Sequence, residues 1–339
     1  MTKGFLTRTL LAVLAVAVLA GCNRSAPSQS EFVLATVCTI TLYDRGNPLV
    51  YQNVFNRLHE IEDRMSVNIE TSDVYKINES AGIEPVKVHD DVYEVIERAV
   101  YYAGISDGAL DITVEPLVKL WGIGGDNPRV PAQEEIDSVL PLIDWHDVVL
   151  DSVNKTVFLK RQGQAIDLGA IAKGYAADEA AAIIRKAGIP RAIIDLGGNI
   201  LAVGTKKDKS QWKIGIQDPN GMRGVYIGIA AVNQESVVTS GVYEQFFYSD
   251  GVRYHHIFIP QTGYPAENHL MSVSIITARS MDADALSTSV FVLGYEKGRA
   301  LVESLDGVEA IFVFDDLSVK VTEGANFSLT NDSYRVEAD

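Results

Sequence analysis

The feature that most constrains the fold is an unbroken succession of strand-like and helix-like segments from Glu31 to about Asp316. Neither a tandem repeat nor a low-complexity block divides it, and proline and glycine are spread as turn residues rather than gathered into a linker. With 47% hydrophobic residues, the chain can bury one large core or two smaller ones. We therefore expect one continuous globular unit.

Hydrophobic periodicity predicts both kinds of element along this unit. The mixture, with sequential strands that pair antiparallel in places, predicts an α+β fold of mixed, largely antiparallel sheets with packed helices, and not a doubly wound parallel sheet. Asp90 or Asp91 is the expected cap of the second helix. The predicted helices are residues 50–65, 90–103, 172–186, 283–293 and 297–305, and the predicted strands are 32–43, two around 154–155, 191–203 with a turn at Gly197-Gly198, 212–216, 225–232, 254–259, 271–277 and 310–314.

The N-terminus has the pattern of a bacterial lipoprotein signal. Lys3 and Arg8 precede an apolar run, and Leu19-Ala20-Gly21-Cys22 follows. The run is short for a membrane span, and the alternatives are an ordinary signal peptide or a short anchor. Diacylation and N-acylation of Cys22 would hold the protein on the inner membrane, facing the periplasm or the cell exterior. The expected division is residues 1–21 as signal peptide, 22–30 as lipidated N-terminus and polar tether, and 31–330 as the folded domain.

Charge and cysteine content exclude two further classes. Removing Lys3 and Arg8 takes the formal charge from −16 to −18, so nucleic acid is an unfavourable partner. The chain has two cysteines, and if Cys22 is lipidated then Cys38 has no partner. We therefore expect no disulfide framework, despite the export signal.

The first candidate for chemistry is the segment 167–175, at a strand-to-helix transition. A helix N-terminus presents free backbone N–H groups, and Gly169 and Gly174 permit close approach to an anion such as phosphate. Lys173 would add a positive charge. The segment is neither a Walker loop nor G-x-G-x-x-G, so a tight structural turn is the alternative.

The second candidate is the pair Asp284 and Thr288, which stand four residues apart and would share one helical face. Mg²⁺ uses few protein oxygens, keeps waters and bridges substrate phosphates, so a carboxylate, a hydroxyl and a carbonyl would suffice. The alternative is that Asp282 or Asp284 merely caps the helix.

Three further stretches are ambiguous. Adjacent residues on a strand point opposite ways, so one of His255 and His256 could enter a site as acid, base or phosphate ligand. Ser240 and Gly241 could bring a hydroxyl and a backbone amide to a ligand, or form an ordinary turn. The segment 108–117 could offer a flat apolar surface with one carboxylate to a ring system, although core packing explains it equally well.

Taken in chain order, these stretches resemble the FAD:protein FMN transferase family, ApbE, over nearly the whole mature chain. Each motif alone is weak, but seven in this order are specific. They are Arg64-Met65-Ser66 with Ser72 and Asn78; Gly108 to Asp111 with Pro116-Leu117 and Trp121-Gly122; Asp167 through Gly174 with Asp178; Gly197-Gly198-Asn199; Thr239-Ser240-Gly241; His255-His256-Ile257 with Pro260, Thr262-Gly263 and Pro265; and Ala283-Asp284-Ala285 with Thr288.

The resemblance implies an FAD site between two lobes of a single unit. It implies Mg²⁺ bound by Asp284, Thr288 and the carbonyl of Ala170, with Asp284 also counted as catalytic. His256 is the candidate for assisting proton movement. The residues expected to contact FAD are Asn68, Ala109, Leu110, Asp111, Asp167, Lys173, Ser240, Gly241 and Ile257.

The implied reaction cleaves the FAD pyrophosphate as AMP leaves, with the metal neutralising developing charge. FMN passes to a threonine or serine of an acceptor flavoprotein in a membrane redox system, or to water, which makes the same site an FAD pyrophosphatase. Many family members resemble Ser-x-Tyr where this chain has Ser66-Val67-Asn68. Loss of an aromatic stacking partner at Asn68 predicts turnover rather than tight FAD storage; an FAD half-life of days in the Mg²⁺-loaded protein would contradict this.

Other readings lead to different functions. A lipoprotein that stores or shuttles FAD would use the same pocket without metal chemistry, and Asp284 and Thr288 argue against it. A generic solute-binding or adhesion lipoprotein leaves the ordered motifs unexplained. A metallohydrolase that acts on another nucleotide is also compatible with these residues, and only the family resemblance points to FAD.

Overall fold

The computed structural model describes residues 28–44 and 47–337. Within them lie seven α-helices and seventeen strands. The helices are α1 Pro48–Met65, α2 Asp73–Glu79, α3 Asp90–Ile105, α4 Glu115–Trp121, α5 Gln133–Val139, α6 Ala172–Lys186 and α7 Ser280–Glu303. The strands are β1 Ser28–Val33, β2 Thr36–Leu42, β3 Val86–Lys87, β4 Val148–Asp151, β5 Thr156–Leu159, β6 Ala192–Leu196, β7 Asn199–Val203, β8 Trp212–Gln217, β9 Tyr226–Val232, β10 Ser236–Gly241, β11 Phe246–Ser249, β12 Val252–His255, β13 Leu270–Thr277, β14 Glu309–Phe314, β15 Ser318–Val321, β16 Phe327–Leu329 and β17 Arg335–Val336.

A nine-stranded sheet organises the chain, in the order β1-β2-β6-β7-β10-β13-β14-β15-β17. Every pair in it is antiparallel except β15 with β17. Smaller antiparallel sheets join β16-β9-β8, β3-β5-β4 and β11-β12. The predicted α+β class with largely antiparallel sheets is confirmed.

Helices α1, α6 and α7 form because their apolar residues fall on one side. In α1, Asn47 caps the first turn by accepting from the Leu49 N–H at 3.0 Å, Pro48 occupies the start, and the buried residues recur at helical spacing. Helix α6 is rich in alanine, so it packs closely on α1 and α7. Helix α7 bends at Gly294, whose φ is 74°, and so covers both predicted C-terminal helices.

Among the described residues, two hydrophobic clusters form the core. The larger one joins the nine-stranded sheet to α1, α3, α6 and α7. The smaller one surrounds Trp121, with Leu117, Ile123, Ile136 and Phe258. Trp121 Nε1 donates to the Gly263 carbonyl oxygen at 2.9 Å, which ties α4 to the segment after β12.

Several sequence expectations are corrected. The predicted strand 32–43 is a hairpin, because Leu34 and Ala35 both have φ of 55° and form the turn between β1 and β2. Helix α3 has His89 at its N-cap, not Asp90 or Asp91. Strand β1 begins at Ser28 and β17 ends at Val336, so the fold extends beyond the predicted limits of 31 and 330 at both ends.

The predicted signal peptide and the lipidated Cys22 lie outside the described residues, and both remain predictions. No helix in the described part of the chain has the length and apolar content to cross a membrane.

Candidate functional site

Helices α6 and α7 cross at Gly174, where a side chain would not fit. A Cβ at this position would lie 2.3 Å from the Ser280 carbonyl oxygen and 2.6 Å from Met281 Cα. The close approach lets the Gly174 N–H donate to Asp284 Oδ2 at 2.8 Å, and the Lys173 N–H also bonds to this carboxylate. Asp284 therefore caps α6 from the neighbouring helix.

This finding changes two expectations. The N–H groups of Lys173 and Gly174 serve a protein carboxylate instead of forming the phosphate cradle suggested by the sequence. The alternative that Asp282 or Asp284 caps its own helix is wrong, because Asp178 of α6 accepts from the Ser280 and Met281 N–H groups at 3.0 and 2.9 Å. Asp282 instead pairs with Arg98 at 2.9 Å.

Asp284 is buried, with 4% of its surface exposed. Burial raises its pKa, and the nearby charge of Lys173 acts in the opposite direction. Asn199 lies beside it and lowers the same pKa, while Asn199 Nδ2 has no other partner in the described residues. The N–H donors and the lysine charge thus favour the ionised carboxylate, whereas burial disfavours it.

Hydroxyl groups line up beyond Asp284 along α7. Ser240 Oγ of β10 lies 2.8 Å from Ser287 Oγ and 3.3 Å from Thr288 Oγ1. Ser287 Oγ donates to the Asp284 carbonyl oxygen at 2.9 Å. Asp284 and Thr288 thus share one side of α7 as predicted, and Ser240 belongs to a central strand, not to the turn that the sequence left open.

The oxygen atoms available near the start of α6 and along α7 are of the kind that binds a hard cation. The backbone bonds that begin α6 run to Leu168 and Ile171, and none in the described chain runs to the carbonyl oxygen of Ala170. A carboxylate, hydroxyls and a carbonyl oxygen are the ligand types of Mg²⁺. The described residues contain no cluster of three His, Cys, Asp or Glu side chains that could hold a metal. A metal here would therefore rely on the mixed oxygen set and on substrate phosphates.

The two histidines are distinguished by their hydrogen bonds. His255 is buried; its Nε2 faces the Ala266 carbonyl oxygen at 3.0 Å, and its Nδ1 accepts from the Ile257 N–H at 3.2 Å. Both nitrogens are used, so His255 is structural, and burial lowers its pKa to about 4.

His256 is half-buried and has one nitrogen to spare. Its Nδ1 lies 3.2 Å from the Gln245 carbonyl oxygen, which can only accept, so Nδ1 carries the proton and Nε2 keeps its lone pair. Desolvation lowers the pKa of His256, and the charge of Lys173 lowers it further. A neutral imidazole whose Nε2 has no partner among the described residues can accept a proton.

Lys173 connects these groups. Its charge lowers the pKa of both Asp284 and His256, so Lys173 lies near both side chains. Its Nζ donates to the Gly169 carbonyl oxygen at 2.7 Å, which holds the side chain across the turn before α6. The candidate residues Ala170, Lys173, Ser240, His256 and Thr288 are all half-buried.

A second acidic pair lies behind the turn. Asp167 Oδ1 accepts from the Gly169 N–H at 2.5 Å. Glu115, at the start of α4, is buried; its Oε2 has no donor in the described chain, and Lys119 Nζ lies 3.3 Å from Oε1. Burial and the neighbouring Asp167 raise the pKa of Glu115 to about 7. This pair was not singled out in the sequence, because its members are far apart along the chain.

Most of the other residues predicted to contact FAD are buried, and some are already hydrogen-bonded within the protein. Asp111 is buried and accepts from the Thr113 N–H and Oγ1 at 2.8 and 2.6 Å and from the Trp145 N–H at 3.0 Å, so its carboxylate already has three donors. Ala109, Leu110, Gly241 and Ile257 are buried too. Asn68 is exposed, and its N–H donates to Ser66 Oγ at 3.1 Å. Their roles toward FAD remain predictions.

Asn78 and Asp178 are positioning residues. Asn78 bonds to both backbone groups of Ile166, accepting from its N–H at 2.7 Å and donating to its carbonyl oxygen at 3.0 Å. This fixes the chain immediately before Asp167. Asp178 orients the start of α7, as described above, and so sets the direction in which Asp284 and Thr288 point.

Known proteins are similar to this chain over most of its length. A sequence model of the ApbE family matches residues 34–312. The chain is 39% identical over 314 residues to an FAD:protein FMN transferase of Treponema pallidum, covering 88% of this chain and 87% of that protein. It is 37% identical over 311 residues to one of Klebsiella pneumoniae, covering 91% and 96%.

The chain also resembles solved structures of ApbE proteins. The ApbE protein of Thermotoga maritima superposes with a TM-score of 0.78 at 35% identity, covering 90% of this chain and 97% of that one. The flavin transferase ApbE of Vibrio cholerae superposes with a TM-score of 0.77 at 28% identity, covering 91% and 98%.

Proposed function

Because this chain belongs to the ApbE family, we propose that it cleaves the FAD pyrophosphate with the help of Mg²⁺ and passes FMN to a protein hydroxyl or to water. It is an FAD:protein FMN transferase, as are its relatives. Dependence on Mg²⁺, hydrolysis by water and the residues in each role are the parts that need testing.

The observation that carries the proposal is the arrangement around Asp284. A buried carboxylate accepts from the N-terminus of α6, hydroxyls of β10 and the next turn of α7 contact one another, and the Ala170 carbonyl before α6 accepts no backbone bond in the described residues. Bound Mg²⁺ would neutralise charge that develops on the pyrophosphate. Asp284, Thr288 and the Ala170 carbonyl are the groups that would hold it.

The chain's own residues supply the rest of the chemistry. Lys173 attracts the phosphates as a point charge. The acceptor oxygen forms a bond to the phosphorus of the FMN half while that phosphorus loses its bridging oxygen, which leaves with the bonding electrons on AMP. The acceptor proton passes to Nε2 of His256. If water takes the acceptor's place, the products are FMN and AMP.

Location forms part of the same proposal. Lipidation of Cys22 would place the enzyme on the outer face of the inner membrane, where an acceptor flavoprotein of a membrane redox system is within reach. The lipoprotein pattern Leu19-Ala20-Gly21-Cys22 supports this placement.

A test of the acceptor uses membrane proteins from cells that lack this enzyme. They are incubated with FAD, Mg²⁺ and protein lacking residues 1–22, and a denaturing gel is viewed by flavin fluorescence. A fluorescent protein band with release of AMP supports transfer. Free FMN and AMP without a band indicate hydrolysis alone, and intact FAD without a band contradicts both.

A test of the proton acceptor replaces His256 by alanine. We expect AMP release to fall roughly 100-fold, the lower range for loss of an acid–base group. His59→Ala on α1, at an exposed histidine, is the matched control and should retain activity. Equal activity of the two variants would remove His256 from the mechanism.

A further inference from the structure

The chain enters the fold at one end of the nine-stranded sheet. Ser28 pairs with Thr41, Leu42 pairs with Ala192, and Ala192 pairs with Val203. The start of β1, the end of β2, the start of β6 and the end of β7 therefore lie along the same sheet end. Three strand spacings of about 4.8 Å separate β1 from β7 there.

Basic residues gather at this end of the sheet, although the whole chain carries a formal charge of −16. We call the group the basic end. Its members are Arg185 and Lys186 at the end of α6, Arg191 before β6, Lys206, Lys207 and Lys209 in the loop after β7, and Lys213 on β8.

Most of this charge is not neutralised by neighbours. Arg191 Nε bonds to Asp44 at 3.0 Å, and Asp208 lies among the lysines and accepts from the Ser210 side chain at 2.7 Å. The lysines of the basic end form no ion pair within the described residues, and Lys207, Lys209 and Lys213 are exposed. A patch of net positive charge therefore faces solvent, and it ends near Glu235, whose carbonyl accepts from the Ala202 N–H.

Aromatic rings pack beside the lysines of the basic end. Trp212 is buried and donates from Nε1 to the Gly204 carbonyl oxygen at 2.8 Å. The Trp212 ring centroid lies 4.8 Å from the ring centroid of Tyr43, which is 45% exposed. Lys206 Nζ lies 5.7 Å from the Trp212 ring centroid. The loop after β7 is thus held in place at both of its ends, and a tyrosine edge lies beside the lysines.

The candidate site lies at the other end of the sheet. Helix α6 begins beside Asp284 and ends at the basic end, and its 15 residues span about 22 Å. Strand β7 begins at Asn199, beside Asp284, and ends at Val203, next to the basic loop. The two features therefore occupy opposite ends of the same layer.

We propose that the basic end is the face with which the protein rests on an anionic phospholipid surface. This inference rests on the proposed lipidation of Cys22. Five residues lie between Cys22 and Ser28, and the six Cα-to-Cα steps that join them reach at most about 22 Å in any conformation. A short tether that leaves the fold beside lysines with no ion pair in the described residues lets those lysines reach the headgroups, where their attraction acts over about a Debye length.

The orientation has a consequence for transfer. With the basic end on the membrane, the site faces away from it by about the length of α6. The acceptor hydroxyl must then stand at a similar height above the bilayer. The strong negative charge of the rest of the protein would keep its other faces off an anionic surface.

The experiment uses protein lacking residues 1–22, which retains every described element, and vesicles of phosphatidylcholine with or without phosphatidylglycerol. We expect sedimentation with the anionic vesicles only, and weaker binding as salt is raised. Replacing Lys206, Lys207 and Lys213 together by glutamine should weaken binding roughly 100-fold, since each basic residue near an anionic surface contributes about fivefold.

The matched control replaces the exposed Lys76, Lys87 and Lys297 by glutamine, which removes the same charge elsewhere, and binding should persist. Equal loss in both variants would show that net charge alone acts, and absence of binding by the unsubstituted protein would exclude a lipid surface; either result overturns the inference. Both variants should release AMP from FAD in solution at the unsubstituted rate. This separates failure of the membrane face from failure of the proposed function.

Discussion

Glu115→Gln should make the protein more stable at neutral and alkaline pH. Glu115 is 2% exposed, its Oε2 has no donor in the described residues, and Asp167 lies beside it. Burial first, and Asp167 second, raise its pKa from 4.5 to about 7, while Lys119, largely exposed, opposes them weakly. Two carboxylates this close cannot both ionise without cost.

The sign follows from proton binding. Because the pKa is higher in the folded state, the folded protein holds the Glu115 proton over a pH range in which the unfolded chain has lost it. The stabilisation is complete below pH 4.5 and is lost as pH rises through 7. A shift from 4.5 to about 7 corresponds to about 3 kcal/mol at pH 8. Glutamine keeps a donor for Asp167 and cannot ionise.

Urea unfolding at a series of pH values measures the effect. The two proteins should have similar unfolding free energies near pH 4, and Glu115→Gln should become more stable by up to about 3 kcal/mol at pH 8, or roughly 6 °C in Tm. Glu134→Gln, at an exposed position in the first turn of α5, is the control and should show no such trend. A stability difference that stays constant with pH would show that ionisation of Glu115 does not destabilise the folded protein.

Three further predictions concern the positioning of the site. Gly174→Ala should lower the unfolding free energy by about 1–3 kcal/mol and reduce AMP release, because its Cβ would meet the Ser280 backbone at 2.3 Å; Gly104→Ala, with its nearest neighbour at 3.6 Å, should be tolerated. Asp178→Ala should cost about 1–2 kcal/mol in urea unfolding, since it leaves two N–H groups of α7 uncapped. His255→Ala should lower the urea midpoint by leaving the Ala266 carbonyl and the Ile257 N–H unpaired, whereas His256→Ala should lower activity with a smaller change in stability; the reverse pattern would exchange their roles.

The sequence predicted elements well where a single periodicity runs for several turns. Helices α1 and α6 and the pairs β4–β5 and β6–β7 follow their patterns closely. It failed where a local turn interrupts an apolar run, as at Leu34 and Ala35. It also failed at β10, because Ser, Thr and Gly in a fully paired central strand look like turn residues.

In the candidate site, too, the sequence indicated local relationships but not long-range contacts. Asp284 and Thr288 lie on one side of a helix, so their spacing alone indicated a shared role. The contacts that orient them are long-range: Asp178 reaches α7 over a separation of 102 residues, and Gly174 reaches Asp284 over 110. No local pattern indicates such contacts, and the proximity of Glu115 to Asp167 is of the same kind.

Metal-dependent release of AMP and FMN from FAD is the most direct measure of the proposed role of Asp284. Protein lacking residues 1–22 is compared with Asp284→Ala and with Asp282→Asn, which alters a carboxylate on the same helix that pairs with Arg98 instead. We expect release that requires Mg²⁺, is abolished in Asp284→Ala and persists in Asp282→Asn. Release of AMP by Asp284→Ala at the unsubstituted rate, or without Mg²⁺, would contradict this role.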